Sequence, residues 1–464
     1  MTDQRERAVL VGLAHSGAGL AEAETSLEEL ALLADTAGAD VVERVIQVRD
    51  TPEPATYVGK GKAREVIELA TALHADAIIF DDELAPAQGR NLEDLAGVNP
   101  LAPSQLKILD RTGLILDVFA QHAHSAEGKL QVELAKLNYD IPRLRGWGDV
   151  LSRMGGGIGT RRGPGETKLE VDRRRIRRRL AKVQADLGDV ERTREIKRNR
   201  RVRSGVPQIS LVGYTNSGKS TLLNTLTGAG VLVEDRLFST LDPTARRLEL
   251  PDGRRAVLTD TVGFVKKLPH TLVEAFRSTL EETNSSDLLL HVVDAAQPDP
   301  PAQVDAVTRV LAEIGADHIP TIIALNKRDL LSDADAAALA ARYPGAVSVS
   351  ALTGEGLEDL LDVLADRVAA ARLVVELLVP FERGDVRSRL HDDAEVLDET
   401  FDAAGSRLQV RTSQAVLARF QEFLVDGEDG QATGRGAGRD GQAPGTDRDS
   451  ASPSASPRGV FPEG

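Results

Sequence analysis

The chain has 464 residues, a formal net charge of −15 and no cysteine. This length is too great for one compact domain and predicts about three. The absence of cysteine excludes disulfides and cysteine-ligated zinc sites. No apolar run approaches the roughly 18 residues that a membrane span needs, and the N-terminus lacks a signal-peptide pattern. We therefore expect a cytoplasmic protein without a membrane span.

Residues 1–125 are predicted to form an N-terminal α/β domain. Short apolar runs typical of buried strands alternate with helical patterns, which favours a parallel sheet with crossover helices. The strands are predicted at Ala8–Leu13, Val41–Val48 and Ala77–Phe80, and the helices at Leu27–Thr36, Lys62–Leu73 and Pro86–Leu95. Gly59 and Gly61 mark a tight turn before the second helix, and a phosphate-binding loop is the weaker alternative there.

Residues 126–204 are predicted to form an antiparallel helical hairpin with a basic, glycine-rich tip. One helix covers Glu127–Tyr139, and a long one covers Glu166–Arg203 with apolar residues at coiled-coil spacing over Ile176–Val190. The segment Pro142–Arg203 carries 20 Arg or Lys against 8 Asp or Glu, a local charge of +12 on an acidic protein. Such a concentration of charge indicates a polyanionic partner at this one place.

Eight arginines of the hairpin are the candidate contacts to RNA phosphates. A solvated helix face is the alternative, but six arginines within seven residues repel each other and favour an anionic partner. Trp147 is either a base-stacking platform or a hydrophobic anchor of the tip, and both interpretations stay open. The candidate arginines are Arg161, Arg162, Arg173, Arg174, Arg175, Arg177, Arg178 and Arg179.

Residues 205–372 are predicted to form a Ras-like P-loop domain, because Gly213–Ser220 matches the phosphate-loop pattern between a strand and a helix. Its glycines let backbone N–H groups face the phosphates, and the helix N-terminus adds positive potential. Lys219 is expected to reach the β- and γ-phosphates, and the Ser220 hydroxyl to bind Mg²⁺.

Three further motifs, each after a predicted strand, select GTP. Asp260 lies where a carboxylate holds Mg²⁺ through water, and Gly263 leaves its N–H open to the γ-phosphate. Asp329 is expected to pair with the guanine ring N–H and amino group, a pair that adenine does not offer. Backbone N–H groups of Ser350–Leu352 are expected to meet the base carbonyl. A kinase acting on a small molecule is disfavoured by this guanine motif.

The segment Phe238–Asp242 is predicted to be a mobile switch, with Thr240 as the second hydroxyl on Mg²⁺ and Thr244 as the alternative. Lys219, Thr240 and Gly263 are the predicted catalytic residues, and Ser220, Thr240 and Asp260 the metal site. The predicted GTP-binding residues are Gly213, Tyr214, Thr215, Asn216, Ser217, Gly218, Lys219, Ser220, Phe238, Ser239, Thr240, Leu241, Asp242, Asp260, Thr261, Val262, Gly263, Asn326, Lys327, Arg328, Asp329, Ser350, Ala351 and Leu352.

Phe264 stands where Ras-type proteins carry a glutamine that orients the attacking water. Phenylalanine cannot bond to that water, so unassisted hydrolysis is expected to be slow. Asn216 either braces the phosphate loop or helps to hold a K⁺ ion against the phosphates, and both interpretations stay open.

Residues 373–426 are predicted to form a small α+β domain. Its strands are expected near residues 374–379, 395–401 and 406–411, and its helices near 384–392 and 413–423. The tail at residues 427–464 has 9 Gly, 4 Pro and 4 Ser and is predicted to be disordered.

The sequence resembles the HflX-type GTPases, of the translation-factor-related branch of P-loop proteins, over roughly residues 8–425. The motifs outside the P-loop domain are long and distinguish this type from Obg and Era types. Besides the two switch segments, the resemblance rests on Tyr57–Lys62, Asp81–Gln88, Asp110–Asp117, Gly128–Leu134, Gly155–Thr160 and Gly163–Thr167.

The resemblance implies binding to rRNA of the large ribosomal subunit, with the hairpin tip near the peptidyl-transferase region. It also implies separation of stalled or idle ribosomes into subunits, often under stress, by a protein that is monomeric off the ribosome. An adenine nucleotide has been associated with the family's N-terminal domain, but no motif here establishes such a site. A GTP-gated switch that binds protein instead of RNA is the rival interpretation.

Overall fold

A computed structural model gives the architecture of the chain. It describes residues 5–15, 19–98, 106–143, 174–190, 192, 206–228, 230, 237–238, 240–241, 243–267, 272, 283–284, 286–370, 372–417 and 419–425. The hairpin tip and the tail, for which a glycine-rich loop and disorder were predicted, lie outside these residues. Within the described part of the chain, no helix is both long and apolar enough to cross a membrane.

The N-terminal region contains a four-stranded parallel sheet in the order β2-β1-β3-β4. Its apolar residues alternate between two cores: Ala8 and Leu10 pack on one face, Val9 and Val11 on the other. Burial on both faces explains the continuous apolar run of β1. The strands are β1 Glu6–Ala14, β2 Ala39–Val48, β3 Ala77–Phe80 and β4 Lys107–Asp110, and the helices are α1 Gly19–Thr36, α2 Lys60–Ala72, α3 Pro86–Leu95 and α4 Arg111–His122.

The predicted parallel sheet with crossover helices is confirmed, while β4 and α4 were not predicted as elements. Strand β4 has four residues that begin and end with a charge, so it lacks the fully apolar run that identified β3. Helix α4 begins at Arg111, where the Asp110 side chain accepts a hydrogen bond from the Gly113 N–H, as a helix cap does.

Helix α5, Ala126–Arg143, is fixed to this domain by Asp110. One carboxylate oxygen accepts bonds from the Tyr139 hydroxyl and the Gly113 N–H, each 2.8 Å long. The other accepts from the Leu84 N–H and the Arg143 guanidinium, each at 3.0 Å. A single buried carboxylate therefore joins the C-terminal end of α5 to the domain.

The second helix of the predicted hairpin, α6, is described over residues 174–190. Val183 and Leu187 are buried, and the other seam positions are half-buried, so the apolar seam is the protected face of the helix. The Arg179 guanidinium bonds to both oxygens of Glu133 on α5, one contact measuring 2.6 Å. The rest of the predicted helix Glu166–Arg203 lies outside the described residues.

The P-loop region is built on a six-stranded sheet in the order β10-β9-β8-β5-β7-β6. All neighbours are parallel except β6 and β7, which form an antiparallel pair. Strands β6 and β8 were not predicted. The strands are β5 Gln208–Gly213, β6 Thr244–Glu249, β7 Arg255–Asp260, β8 Leu288–Asp294, β9 Thr321–Asn326 and β10 Val347–Ser348, and the helices are α7 Lys219–Thr227, α8 Pro300–Glu313, α9 Asp333–Arg342 and α10 Leu357–Ala370.

The C-terminal region is an antiparallel sheet in the order β11-β13-β12, with helical residues on both sides of its second and third strands in sequence packed against it. The predicted helix at 413–423 is wrong in length, because its end bends back so that Leu424 pairs with Leu377 at the sheet edge. Only α12, Gln414–Leu417, and a 3₁₀ turn at Gln421–Phe423 remain helical there. The other elements are β11 Arg372–Val379, α11 Gly384–Asp393, β12 Glu395–Phe401 and β13 Ser406–Ser413.

Candidate nucleotide-binding site

The phosphate loop joins the carboxyl end of β5 to the start of α7, and two of its glycines have no room for a side chain. Gly213 has φ +153°, and a Cβ there would lie 2.3 Å from the Val292 carbonyl oxygen. Gly218 has φ +91°, and a Cβ there would lie 2.2 Å from Nδ2 of Asn326. The loop can therefore pack this closely against β8 and β9 only with glycine at both positions.

Lys219 is the first residue of α7, and its ammonium group is folded back over the loop. Its Nζ donates to the carbonyl oxygens of Gly213, at 3.2 Å, and Tyr214, at 2.7 Å. Burial lowers the pKa of Lys219 to about 8, although the nearby Asp260 acts in the opposite direction. The group thus stands buried at the centre of the loop, where phosphate oxygens would replace these carbonyl partners.

The three residues predicted for the metal site lie together. The Ser220 Oγ is 2.7 Å from the Thr240 hydroxyl and donates to Asp260 Oδ2 at 2.6 Å. Burial raises the pKa of Asp260, against the effects of Lys219 and the two hydroxyls, and its Oδ1 is buried with no hydrogen-bond partner among the described residues. A set of hard oxygen donors with one unsatisfied carboxylate oxygen fits Mg²⁺. The alternative Thr244 is instead the first residue of β6.

The switch segment around Thr240 is anchored by its apolar neighbours. Phe238 and Leu241 are buried in a core shared with α1 and α4, and the Phe238 ring meets that of Phe119 edge-to-face at 4.6 Å. We predicted that Phe238 and Leu241 contact the nucleotide. Their side chains are instead packed into the N-terminal core, where burial of apolar surface is favourable. Ser239 and Asp242 lie outside the described residues.

Gly263 lies directly against the phosphate loop. A Cβ at this position would come within 2.7 Å of Thr215 Cγ2 and 3.0 Å of Lys219 Nζ. The next residue, Phe264, donates its N–H to the Gly213 carbonyl at 3.1 Å and accepts from the Thr215 N–H at 2.7 Å. Its ring is buried under α8 with Val212, so it is turned away from the site of the attacking water. Thr261 and Val262 complete the motif, one bonding to the Leu211 carbonyl and the other buried in the shared core.

The guanine motif follows β9, and its first residue braces two loops. The Asn326 Nδ2 donates to the Ser217 carbonyl at 2.8 Å, and its Oδ1 accepts from the Ala351 N–H at 2.9 Å. Lys327 takes a left-handed backbone, φ +64°, and its Nζ is 2.7 Å from Asp294. Arg328 bonds to the Leu331 carbonyl at 2.9 Å, whereas Asp329 is exposed, as a carboxylate that meets a ligand must be.

The segment Ser350–Leu352 presents fewer N–H groups to the base than its sequence suggests. The Ser350 N–H donates to the Glu355 carbonyl at 2.9 Å, and the Ala351 N–H to Asn326. Leu352 is 80% exposed. We predicted that all three N–H groups face the base. The N–H groups of Ser350 and Ala351 are instead used within the protein, where they close this turn. Leu352 remains as the direct donor, and Ala351 could only share its bond.

The candidate RNA-binding arginines are divided by the structure. Arg174, Arg175, Arg177 and Arg178 are exposed on α6, whereas Arg179 is held by Glu133 of α5. Arg161, Arg162 and Arg173 lie outside the described residues. The predicted basic surface is therefore visible as four exposed charges in one and a half helical turns.

Histidine and glycine features of the N-terminal domain take structural roles here. The His122 Nδ1 is 2.8 Å from the Val118 carbonyl of its own helix. Within the described ranges, no three His, Cys, Asp or Glu side chains are grouped to hold a metal. The Gly59 N–H, at the start of α2, donates to Gln47 Oε1 of β2 at 2.8 Å, so it is used in packing the helix start against the sheet.

The motifs missed one set of contacts, which reaches the site from the N-terminal domain. Glu29 of α1 accepts a bond from the Tyr214 hydroxyl at 2.5 Å, and Lys267 lies 2.6 Å from Asp81. The partners are separated by 185 and 186 residues, so no local pattern joins them. The sequence carried one weak signal. Acidic residues stand in α1 and just after β3, and two consecutive lysines follow the Gly263 motif.

Three family models match successive segments of the chain. A GTP-binding GTPase N-terminal model matches residues 24–120, a GTP-binding GTPase middle-region model matches 122–201, and a 50S ribosome-binding GTPase model matches 208–327. A GTP-binding protein from Sulfolobus solfataricus, solved with GDP, is 24% identical with a TM-score of 0.40, over 79% of this chain and 99% of that one.

The similar proteins of known family extend over most of the chain. GTPase HflX of Caldanaerobacter subterraneus subsp. tengcongensis is 46% identical over 421 residues, which are 91% of this chain and 94% of the relative. GTPase HflX of Escherichia coli is 45% identical over 83% of this chain and 89% of the relative. The phosphate loop and the metal-site oxygens lie in the segment 208–327 that the GTPase model matches, and the chain belongs to the HflX family of GTP-hydrolysing enzymes.

Proposed function

We propose that this GTPase binds rRNA of the large ribosomal subunit through its basic hairpin and separates stalled or idle ribosomes into subunits. The observation that carries the proposal is the placement of Arg174, Arg175, Arg177 and Arg178 on the exposed side of a helix whose apolar seam is protected. The match of residues 208–327 to a model of 50S ribosome-binding GTPases supports the choice of partner. We also propose that the protein acts in the cytoplasm and is monomeric off the ribosome.

The residues of the nucleotide site fit the usual roles in GTP hydrolysis. Lys219 and the loop N–H groups hold the β- and γ-phosphates, and the Gly263 N–H meets the γ-phosphate. Ser220, Thr240 and Asp260 would hold Mg²⁺, directly or through water. When bound, this ion would neutralise charge on the phosphate oxygens. Because Thr240 lies in the switch, its contribution depends on the γ-phosphate, and the switch loosens after hydrolysis.

Ribosome binding has a further role in this proposal, because Phe264 stands where Ras-type proteins carry the glutamine that orients water. Phe264 is buried and apolar, so it can neither bond to the attacking water nor offset charge on the departing phosphate. The missing contribution is therefore assigned to the ribosome-bound state or to a cation. Hydrolysis that is slow in the free protein and accelerated by large subunits is the kinetic result that this arrangement predicts.

The hairpin is tested by removing its four exposed charges. We expect Arg174→Gln, Arg175→Gln, Arg177→Gln and Arg178→Gln together to weaken cosedimentation with large subunits and to flatten its dependence on salt, since fewer counterions are released. Arg179 is kept, because it pairs with Glu133 and its loss would disturb the two helices. The nucleotide is a non-hydrolysable GTP analogue, and GTP binding by the free protein should be unchanged.

The matched control removes four exposed arginines elsewhere, Arg255, Arg309, Arg342 and Arg367, by the same change to Gln. It should retain subunit binding. If the hairpin variant binds with unchanged affinity and salt slope, the hairpin is not the RNA contact, and the rival protein-binding switch gains support. Splitting is measured separately, as the conversion of vacant 70S ribosomes to subunits on a sucrose gradient, which the hairpin variant should not catalyse.

A further inference from the structure

Both switch segments are packed into the core of the N-terminal domain. Leu237, Phe238 and Leu241 from the first switch, and Val262 and Val265 from the second, lie in one buried cluster with residues of α1 and α4. The Leu237 N–H also bonds to Thr36 Oγ1 of α1 at 3.3 Å. The parts of a GTPase that respond to the γ-phosphate are thus held by a domain that contains none of its motifs.

Glu29 of α1 places one carboxylate between the two nucleotide-binding loops. Its Oε2 accepts from the Tyr214 hydroxyl at 2.5 Å, and its Oε1 accepts from the Lys266 N–H at 3.2 Å. The same Lys266 N–H also donates to the Tyr214 hydroxyl. Tyr214 is the second residue of the phosphate loop, and Lys266 stands three residues beyond Gly263, so Glu29 sets the spacing between these loops from outside the P-loop domain.

Glu29 is itself fixed by a buried arginine. Arg111, which is 1% exposed, bonds to Glu29 with one nitrogen and to Asp81 with another at 2.7 Å. Asp81 also accepts from Lys267, at 2.6 Å, and from Ser26. Burial alone would raise the pKa of Asp81, but Arg111 and Lys267 outweigh it and hold that pKa below its ordinary value. The charges around Glu29 are therefore paired, and its carboxylate has little freedom to move.

The position of Thr240 in the first switch indicates which nucleotide state the contacts with the N-terminal domain stabilise. With Phe238 and Leu241 docked in the N-terminal core, the intervening Thr240 places its hydroxyl 2.7 Å from Ser220 Oγ. A switch threonine reaches the metal site in the GTP-type state, when γ-phosphate contacts order the switch. The docked position is therefore the GTP-type position, and contacts that favour docking favour that state.

We propose that Glu29 is a positioning residue for GTP hydrolysis, acting through Tyr214 and the Lys266 backbone. It holds the segment from Gly263 to Lys266 where the Gly263 N–H meets the γ-phosphate, and so the N-terminal domain stabilises the GTP-type site. By linkage, the γ-phosphate stabilises docking of the N-terminal domain by the same free energy. This inference depends on the GTPase reaction alone and is independent of ribosome binding, so its test uses the full chain without ribosomes.

The test compares Glu29→Ala, Tyr214→Phe and the double variant in affinity for a non-hydrolysable GTP analogue, affinity for GDP, and single-turnover hydrolysis. We expect each single variant to lose at least about fivefold in analogue affinity and in hydrolysis rate, with GDP affinity within about twofold, because only the γ-phosphate meets Gly263. The double variant should lose no more than the more strongly affected single variant, since both changes remove the same contact. Glu29→Gln, which keeps an acceptor oxygen, should recover part of the loss.

Two controls separate positioning from general damage. Asp35→Ala removes an exposed acid of the same helix, paired with Arg5, and should leave all three measurements unchanged. Tyr214→Phe leaves the ion pairs of Arg111 intact, so it remains informative if Glu29→Ala does not fold. Equal losses for the analogue and GDP would overturn the proposal, as would tighter analogue binding, faster hydrolysis or additive effects in the double variant.

Discussion

Asp329 is an exposed carboxylate that accepts hydrogen bonds, and base selection is the property assigned to it. We predict that Asp329→Asn lowers GTP affinity by at least roughly tenfold and improves binding of xanthosine triphosphate relative to GTP. Competition binding with both nucleotides measures this. Asp333→Asn, which removes the nearby acid paired with Arg328, is the control and should leave base preference unchanged. Unchanged preference in Asp329→Asn would contradict the base assignment.

Asn216 either braces the phosphate loop or helps to hold a K⁺ ion, and one substitution distinguishes these interpretations. It is exposed at the loop surface with φ +58°, a conformation that Asn tolerates better than most residues. The K⁺ hypothesis predicts hydrolysis several-fold faster in KCl than in NaCl at matched ionic strength, and loss of the difference in Asn216→Ala. Ribosomes are left out, because salt also changes RNA binding. Equal rates in both salts would leave Asn216 as a brace of the loop.

At the scale of single residues, the sequence predicted those parts of the site that a continuous segment determines. The loop Gly213–Ser220 does follow a strand and open a helix, and the motif at Asn326 ends a strand, because these local signals lie in one continuous segment. The nucleotide contacts of both motifs stay predictions. The N–H groups of Ser350 and Ala351 were assigned to the base, since the sequence does not show that Glu355 and Asn326 accept them.

Glu399 provides a test at the scale of one element, in the C-terminal sheet. Hydrogen bonds from Arg387 first, and then Ser406, hold the pKa of Glu399 at about 2, below its ordinary 4.5. A carboxyl with a lowered pKa contributes stability above pH 4.5 that is lost as the pH falls toward 2. We predict that Glu399→Gln lowers Tm at pH 7 and that this difference from wild type shrinks between pH 4.5 and 2. A difference that is constant with pH, in thermal unfolding followed by circular dichroism, would contradict this.

Helices and strands were predicted well where the local sequence carries a clear signal, and poorly where distant contacts decide the structure. Strand β3 and helix α3 match their predicted bounds, since an apolar run and a Pro at a helix start are unambiguous signals. Strand β6 lies beside the first switch and is exposed along most of its length, so its sequence lacks a buried pattern. The helix predicted at 413–423 failed because contact of Leu424 with β11 competes with helix continuation.

At the scale of the whole molecule, the shared core of the N-terminal and P-loop regions was beyond the reach of sequence patterns. The Phe119–Phe238 contact and the Glu29–Tyr214 bond join positions more than a hundred residues apart. Each side is a normal pattern within its own region, and nothing local shows that the two meet. The contact that gives the N-terminal domain access to the switches was therefore not predictable from local patterns.

The attachment of α5 through Asp110 makes that helix a lever arm. Its 18 residues span about 27 Å, and Tyr139 and Arg143 attach its C-terminal end, from which the chain continues into the hairpin, to the N-terminal sheet. A rotation by about 10° would displace the two ends of a helix of this length relative to each other by about 5 Å, close to one helical turn. Under the proposed function, a small rotation of the N-terminal domain beside the γ-phosphate therefore becomes a displacement of the hairpin close to one helical turn.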